Sequence, residues 1–185
     1  MRRTLRRLTA GALAGLLLTS AWADQNDARL DDLFEALKTT PSAHQAQAVE
    51  AEIWRIWIES GREDVDALMA EGIRAMAAAR IDEAITLFSE IIERAPRFAE
   101  GWNKRATAYY LDENYAASVE DIRHTLALEP RHFGAISGMG LIFLSGGDET
   151  GALRAFEAVL EIHPHAPGAR QRVEVLRRKL RGEGA

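Results

Sequence analysis

A regular period of about 34 residues runs through the central and C-terminal parts of the chain and restricts what it can fold into. Pro96, Pro130 and Pro164 follow one another at this step. Other positions keep small or aromatic residues over one or two steps: Gly72, Ala106 and Gly140; Ala75, Tyr109 and Phe143; Ala84 and Ala152; Phe88 and Phe156. A period of this length indicates units that stack side by side, because one unit alone cannot bury its apolar faces.

Each unit has the apolar spacing of two helices joined by a short turn. Small residues such as Gly72 on the first helix allow the two backbones to approach closely. The prolines end the second helix, because the ring removes a hydrogen-bond donor and clashes with the preceding turn. One run shows the helical spacing clearly: Ala84, Leu87, Phe88, Ile91 and Ile92.

The period and these positions resemble the tetratricopeptide-repeat (TPR) family, whose sequence signature recurs at the same step. Phased on that signature, three units cover residues 65–98, 99–132 and 133–166. The middle unit matches best, with residues of the family's packing type at Trp102, Ala106, Tyr109, Tyr115 and Pro130. The resemblance implies an all-α, right-handed solenoid of helix hairpins.

The first 23 residues have the pattern of a secretory signal peptide. Four arginines precede the apolar run Ala10–Ala21, and Ala21-Trp22-Ala23 supplies the small residues of a cleavage site. The apolar run is shorter than the about 20 residues that span a bilayer. We therefore expect cleavage after Ala23 and a periplasmic protein; a retained membrane anchor is the alternative.

Composition narrows the class of partner. Four of the 23 Lys and Arg residues lie before Ala23 and none of the 28 acids does, which leaves a formal charge of −9. This balance argues against nucleic-acid binding, which needs an excess of Lys and Arg. The chain has no cysteine, so it carries neither a disulfide nor a lipoprotein anchor.

Residues 24–64 are expected to form an N-terminal helical cap. Two helices are predicted over Leu30–Lys38 and Ala43–Ser60, and Ser42 with Gln45 is a capping-box start for the second. That helix carries an apolar stripe of Ala48, Ala51, Trp54, Trp57 and Ile58. We expect the stripe to cover the open end of the first repeat; an exposed docking face for a partner is the alternative.

Residues 167–185 are expected to form a basic C-terminal capping helix. Val173, Val175, Leu176 and Leu180 are predicted to face the repeats. The other side is a solvated basic face or, alternatively, a contact with an anionic membrane or an acidic partner. Its basic residues are Arg170, Arg172, Arg177, Arg178, Lys179 and Arg181.

No residue pattern points to catalysis, a cofactor or a metal. The sequence contains no nucleophile elbow, no metalloprotease helix motif and no phosphate-binding glycine loop. His163 and His165 are the only close histidine pair, and a zinc site needs more ligands than these two with Glu161 nearby. We therefore expect a protein that is not an enzyme.

In the TPR family the first helix of each unit lines a concave groove that holds peptide segments. The resemblance implies inward positions at Met69, Ile73 and Met76, at Asn103, Thr107 and Tyr110, and at Ser137, Leu141 and Leu144. These residues predict an apolar stripe with a polar centre, suited to an amphipathic segment rather than to a clamp for a C-terminal carboxylate. The alternative is that they pack against neighbouring helices.

One further expectation follows from the repeats. Glu71 and Arg105 hold equivalent positions in adjacent units, and we expect an ion pair between them across the junction.

We expect the protein to be a periplasmic scaffold or adaptor that binds other proteins or peptide segments. The alternative is a regulatory subunit of a periplasmic enzyme, such as a protease or a cell-wall hydrolase.

Overall fold

The computed structural model describes residues 24–182, which form nine α-helices and no strand. The predicted signal peptide and the last three residues of the chain lie outside this range. The all-α prediction is confirmed. The helices are α1 (Arg29–Thr39), α2 (Ala43–Ile58), α3 (Glu63–Ala77), α4 (Ile81–Arg94), α5 (Ala99–Leu111), α6 (Tyr115–Leu128), α7 (Phe133–Ser145), α8 (Glu149–Ile162) and α9 (Pro167–Leu180).

Helices α3 to α8 pack as three hairpins, and the second helix of each hairpin packs on the first helix of the next. The residues that recur at the 34-residue step explain the close packing within a hairpin. Gly140 on α7 faces Phe156 on α8, and a Cβ added to this glycine would lie 2.8 Å from the Phe156 ring. Gly72 and Phe88 repeat the arrangement in the first hairpin. A glycine on the first helix therefore makes room for an aromatic ring on the second.

The ends of the helices also repeat with the period. The second helices end immediately before Ala95, Glu129 and His163, and each of these residues precedes a proline, which disfavours helical backbone. Within each hairpin the turn needs one residue with positive φ. The third turn supplies Gly147 at φ 75°, whereas the first uses Ala79 at φ 58°.

Of the stripe predicted to cover the first repeat, only Ile58 packs against the core of that repeat; the rest of the hairpin α1–α2 lies elsewhere. It lies along the edge of the stack, where each second helix passes to the next first helix. Gln25 accepts a hydrogen bond from the Ala99 amide at 3.1 Å at the first junction. At the second, Arg131 donates to Asp31 at 2.7 Å. At the third, His165 donates to the carbonyl of Thr40 at 2.9 Å.

Aromatic packing explains this position. The Trp57 ring stacks on His132 at 4.1 Å with an interplanar angle of 10°, and Trp54 packs edge-on against Phe133 at 5.4 Å. His132 and Phe133 lie where α7 begins, at the entrance to the third repeat.

The predicted stripe of α2 was partly wrong, while its predicted N-cap residue is confirmed. Ala48 and Ala51 are exposed. Ser42 accepts a hydrogen bond from the Gln45 amide, which confirms the N-cap half of the capping box. The other half is not formed, because the Gln45 side chain accepts from the Thr40 hydroxyl instead of bonding to the Ser42 amide. The buried residues of α2 are Ala46, Ile53, Ile56 and Trp57.

Helix α9 packs on α8 through Ala169, Val173 and Leu176. These residues recur at helical spacing and form one stripe. Val175 and Leu180, which were predicted to face the stack, are 47% and 46% exposed. The prediction was therefore wrong for these two residues, because they lie off the stripe. No helix within residues 24–182 is long and apolar enough to cross a membrane.

The expected ion pair between Glu71 and Arg105 is wrong. Arg105 donates to both carboxylate oxygens of Asp121 on α6, at 2.7 and 2.9 Å, and to the hydroxyl of Ser89 on α4 at 3.0 Å. A guanidinium fits a carboxylate in this paired geometry, and Asp121 is buried. Arg105 thus does link two repeats, but through Ser89 rather than Glu71.

Candidate functional site: the face of the first helices

The first helices of the three repeats lie side by side and form one face, which we call the groove. Helix α5 contacts both α3 and α7. Between α5 and α7 this face contains a cavity of about 150 Å³. Five of the nine residues predicted to point into the groove line it: Asn103, Thr107, Tyr110, Ser137 and Leu141.

The first repeat contributes less to the open surface than the sequence implied. Met69 is 2% exposed and belongs to a core with Val65 and Phe88. Ile73 and Met76 are partly exposed and pack against the same core. The structure therefore does not bring Met69 to the surface, and its long side chain stabilises the first hairpin instead.

Asn103 is also largely internal. It lines the cavity between α5 and α7, but it is 6% exposed and its side-chain amide donates to Glu100 at 3.0 Å. Thr107, one turn further along α5, is exposed and donates to the Asn103 carbonyl at 2.9 Å. The open part of the groove thus begins at Thr107 and Tyr110.

The start of the groove is covered by the N-terminal hairpin. Trp54 lies over Gly134, and a Cβ added there would come within 3.1 Å of the indole atom Cζ2. The ammonium of Lys104 lies 5.5 Å from the centre of the Trp54 ring, which fits a cation–π contact. Helix α2 therefore closes the groove near the N-terminal ends of α5 and α7.

A buried polar cluster fixes this closure. Glu100 is 1% exposed, and its carboxylate accepts from His132 Nε2 at 2.9 Å and pairs with Lys104 at 3.0 Å. His132 Nδ1 accepts from the Ala135 amide at 3.0 Å, so the ring proton lies on Nε2 and points to Glu100. Burial alone would raise the pKa of Glu100, but Lys104 and His132 outweigh it and hold that pKa below its ordinary value. The carboxylate is therefore ionised, and it connects α5 to the ring on which Trp57 stacks.

Helix α9 extends the groove by a fourth row, which the sequence interpretation missed. Gln171, Val175 and Arg178 follow Ser137, Leu141 and Leu144 at the repeat step. Between α7 and α9 lies a second cavity of about 300 Å³, lined by Leu144, Gln171, Arg172, Val175 and Leu176. Continuing the period past residue 166 would have identified these positions.

The two histidines considered as a metal pair have separate partners. His163 donates from Nε2 to Glu50 on α2 at 3.2 Å, while His165 donates to the Thr40 carbonyl. The hydrogen bond from His163 lowers the pKa of Glu50 below its ordinary value. Within residues 24–182, no group of three His, Asp or Glu side chains is arranged to hold a metal ion. Both histidines attach the N-terminal hairpin to the edge of the stack.

Comparison with known sequences gives the same architecture. A family model described as tetratricopeptide repeat matches residues 69–124. A TPR repeat-containing protein of Rhizobium etli is 38% identical over 154 residues, which are 83% of this chain and 76% of that protein. A heat-shock protein cognate co-chaperone of Aspergillus fumigatus is 26% identical over 168 residues, and the chain spans 49% of its length.

Solved structures resemble this fold at moderate similarity. The Sgt2 TPR domain from Aspergillus fumigatus superimposes with a TM-score of 0.60 at 26% identity, over 65% of this chain and 81% of that domain. The first TPR of Spaghetti (RPAP3), bound to an HSP90 peptide of sequence SRMEEVD, has a TM-score of 0.60 at 22% identity. The alignment covers 63% of this chain and 93% of that one, and it supports the fold alone.

Proposed function

The chain belongs to the tetratricopeptide-repeat family, and from that membership we propose that it is a periplasmic protein–protein interaction scaffold that holds partner segments in its groove. One observation carries the proposal. Open apolar side chains continue from Tyr110 through Leu141 and Leu144 to Val175, with a cavity on each side of α7. Spaced apolar anchors of an amphipathic segment fit such a surface.

A known domain of this fold holds a peptide, and we propose the same kind of role here. The RPAP3 domain was solved with an HSP90 peptide. We propose binding rather than catalysis, because the polar groups nearest the groove are used inside the fold. Glu100 is 1% exposed and His132 is fully buried, so neither side chain meets a substrate at the surface.

Affinity capture from a periplasmic extract tests the proposal. Residues 24–185 serve as bait beside a Tyr110→Ala, Leu141→Ala variant, and the matched control carries Thr86→Ala and Arg123→Ala, two exposed residues on second helices. We expect at least one protein to be retained by the wild type and the control and lost from the groove variant. Circular dichroism must show that all three chains melt as folded proteins. Identical captured sets from all three would contradict the proposal.

Export is the second part of the proposal and is tested separately. The basic start, the apolar run Ala10–Ala21 and the small residues ending at Ala23 support it. The full chain is produced in a Gram-negative bacterium, and the mass of the intact protein is measured in the periplasmic and cytoplasmic fractions. We expect a periplasmic species that begins at Asp24. An intact cytoplasmic chain would refute the export but leave the groove unaffected.

A further inference from the structure

The basic residues of α9 do not form one uniform solvated face. Arg177 pairs with Glu157 on α8 at 2.7 Å, and Lys179 pairs with Glu149 on the same helix. Arg178 forms no ion pair with any residue in the part of the chain that the structure describes, and it lies one turn from Val175. Arg178 also borders a surface depression together with Glu174, Arg177 and Arg181, so it lies beside the groove rather than in the cavity between α7 and α9.

Arg172 places a guanidinium in the groove cavity itself. It lines the cavity between α7 and α9, where its carbon Cζ lies 5.4 Å from the centre of the Phe156 ring. It donates one hydrogen bond, at 3.1 Å, to the carbonyl of Gly168, which leaves other N–H groups of the fork unused. The Phe156 ring restricts the orientation of this side chain, and a restricted guanidinium loses less entropy when it binds a carboxylate.

The rest of the groove offers no comparable cation among the residues that the structure describes. Lys104 is engaged by Glu100 and Trp54. The open groove residues of α5 and α7 are neutral: Thr107, Tyr110, Ser137, Leu141 and Leu144. The groove thus has apolar anchors along its length and positive charge only at the α9 end. Charge complementarity therefore predicts that an acidic side chain of a bound segment lies at the α9 end.

We propose that the α9 end of the groove selects partner segments that carry an Asp or Glu close to an apolar residue. The apolar side chain enters the cavity of about 300 Å³ between Leu144 and Val175, and the carboxylate binds Arg172, which lines that cavity. Arg178, one turn beyond Val175, adds positive charge at its border. This inference rests on the proposed function, since it specifies the chemistry of the segment that the groove holds. An anionic membrane fits the positions less well, because a flat lipid surface does not reach into a cavity between two helices.

A display library of random dodecapeptides tests the inference on residues 24–185. The selection is repeated with Arg172→Gln, Arg178→Gln and with a matched control, Arg74→Gln, Arg123→Gln, which loses the same charge at exposed sites outside the groove. We expect the wild type and the control to enrich peptides that combine apolar residues with Asp or Glu. The Arg172, Arg178 variant is expected to keep the apolar preference and lose the acidic one.

Affinities of one selected peptide make the test quantitative. For the acidic peptide, we expect the two Arg→Gln changes on α9 to weaken binding about tenfold. For the same peptide with its acid replaced by the amide, the two changes should have little effect on affinity. Peptides that lose binding to Tyr110→Ala, Leu141→Ala but show no acidic preference would overturn this inference and leave the proposed function standing. The absence of groove-dependent peptides would overturn both. Vesicles of phosphatidylglycerol that bind through Arg172 and Arg178, without any acidic preference among peptides, would overturn the inference in favour of a membrane contact.

Discussion

At the scale of single residues, the partner of a charged side chain depends on which carboxylate the fold places nearby. Equivalent positions in neighbouring repeats do not decide it. Glu71 and Arg105 occupy matching positions, yet Arg105 turns away to Asp121 and Ser89. A buried acid needs a partner more than an exposed one does, because an unpaired charge in the interior is costly. Sequence spacing identified the position of the arginine but not the burial of its partner.

Replacing Arg105 with Leu should therefore destabilise the protein strongly. The change leaves Asp121 buried without its cation, and we expect the free energy of unfolding to fall by about 3 kcal/mol or more. Adding Asp121→Leu removes the uncompensated charge and should restore most of the loss. Urea unfolding of both variants measures the effect. Equal stability of the single and double variants would show that the ion pair is not the cause.

Glu50 provides a prediction on pH dependence. Its pKa is lowered in the folded protein, chiefly by the hydrogen bond from His163, so it stabilises the fold above the pKa of the unfolded chain, near 4.5. This contribution is lost as the pH falls through the lower folded pKa. We expect Glu50→Gln to cost about 1 kcal/mol at pH 7, with the difference from wild type shrinking as the pH falls through and below the unfolded pKa. Exposed Glu161→Gln is the control, and a difference for Glu50→Gln that does not change with pH would refute the account.

At the scale of helices, the period predicted most of the repeat architecture because it records contacts within each hairpin. A glycine at one repeated position and a phenylalanine at another mark a place where two backbones approach. The prolines mark where the second helices end. The period contains no such record for α1 and α2, which belong to no repeat. The tryptophans indicated a buried face on α2 but not its partner, because His132 and Phe133 are distant along the chain.

The groove was likewise predicted in part, with some of its residues identified from the repeats and others missed. Family positions on α5 and α7 identified five residues that line one cavity, since regular helices carry the phase of one repeat to the next. Met69 was misplaced because it packs in the core of the first repeat. Asn103 lines the cavity as predicted, but its amide is used by buried Glu100, so it is largely internal. The row on α9 was missed because the repeat phasing stopped at residue 166. These errors depend on tertiary contacts that no single helix reveals.

Two glycines of α7 test the role of close helix packing. A Cβ at Gly140 would lie 2.8 Å from the Phe156 ring, whereas a Cβ at Gly138 would meet Ile122 Cδ1 at 3.4 Å. We expect Gly140→Ala to lower the free energy of unfolding by about 1–3 kcal/mol through overpacking. Gly138→Ala should change stability by less than about 1 kcal/mol, since better helix propensity offsets a tight contact. Thermal unfolding distinguishes them, and equal losses would contradict the packing explanation.

At the scale of the whole molecule, the N-terminal hairpin changes how the repeats depend on one another. In a simple repeat array each unit contacts only its neighbours, so distant units are coupled weakly. Here residues 24–58 contact all three junctions, through Gln25, Asp31 and Thr40. The hairpin therefore opposes independent opening of single repeats and holds α5, α7 and α9 in one arrangement.

Loss of Phe34 should uncouple the hairpin from the repeats. Its ring lies 5.8 Å from Trp57 and 4.2 Å beneath the guanidinium of Arg131, so Phe34→Ala removes contacts that hold α1 and α2 to the stack. We expect a loss of about 3–5 kcal/mol in the hairpin's attachment. Tryptophan fluorescence reports on Trp54 and Trp57 in α2 and on Trp102 in the second repeat. In wild type, this fluorescence and far-UV circular dichroism should give coincident urea transitions. In Phe34→Ala the fluorescence transition should come at lower urea.

The matched control for this experiment is Phe156→Ala, which removes the same ring volume from the third repeat. Phe156 belongs to the core on which the hairpin rests, so its loss weakens the docking surface and the repeat together. The two transitions should therefore shift to lower urea and remain coincident. Coincident transitions in Phe34→Ala would mean that the hairpin unfolds only with the repeats. Separate transitions in wild type would mean that the hairpin does not couple the three junctions.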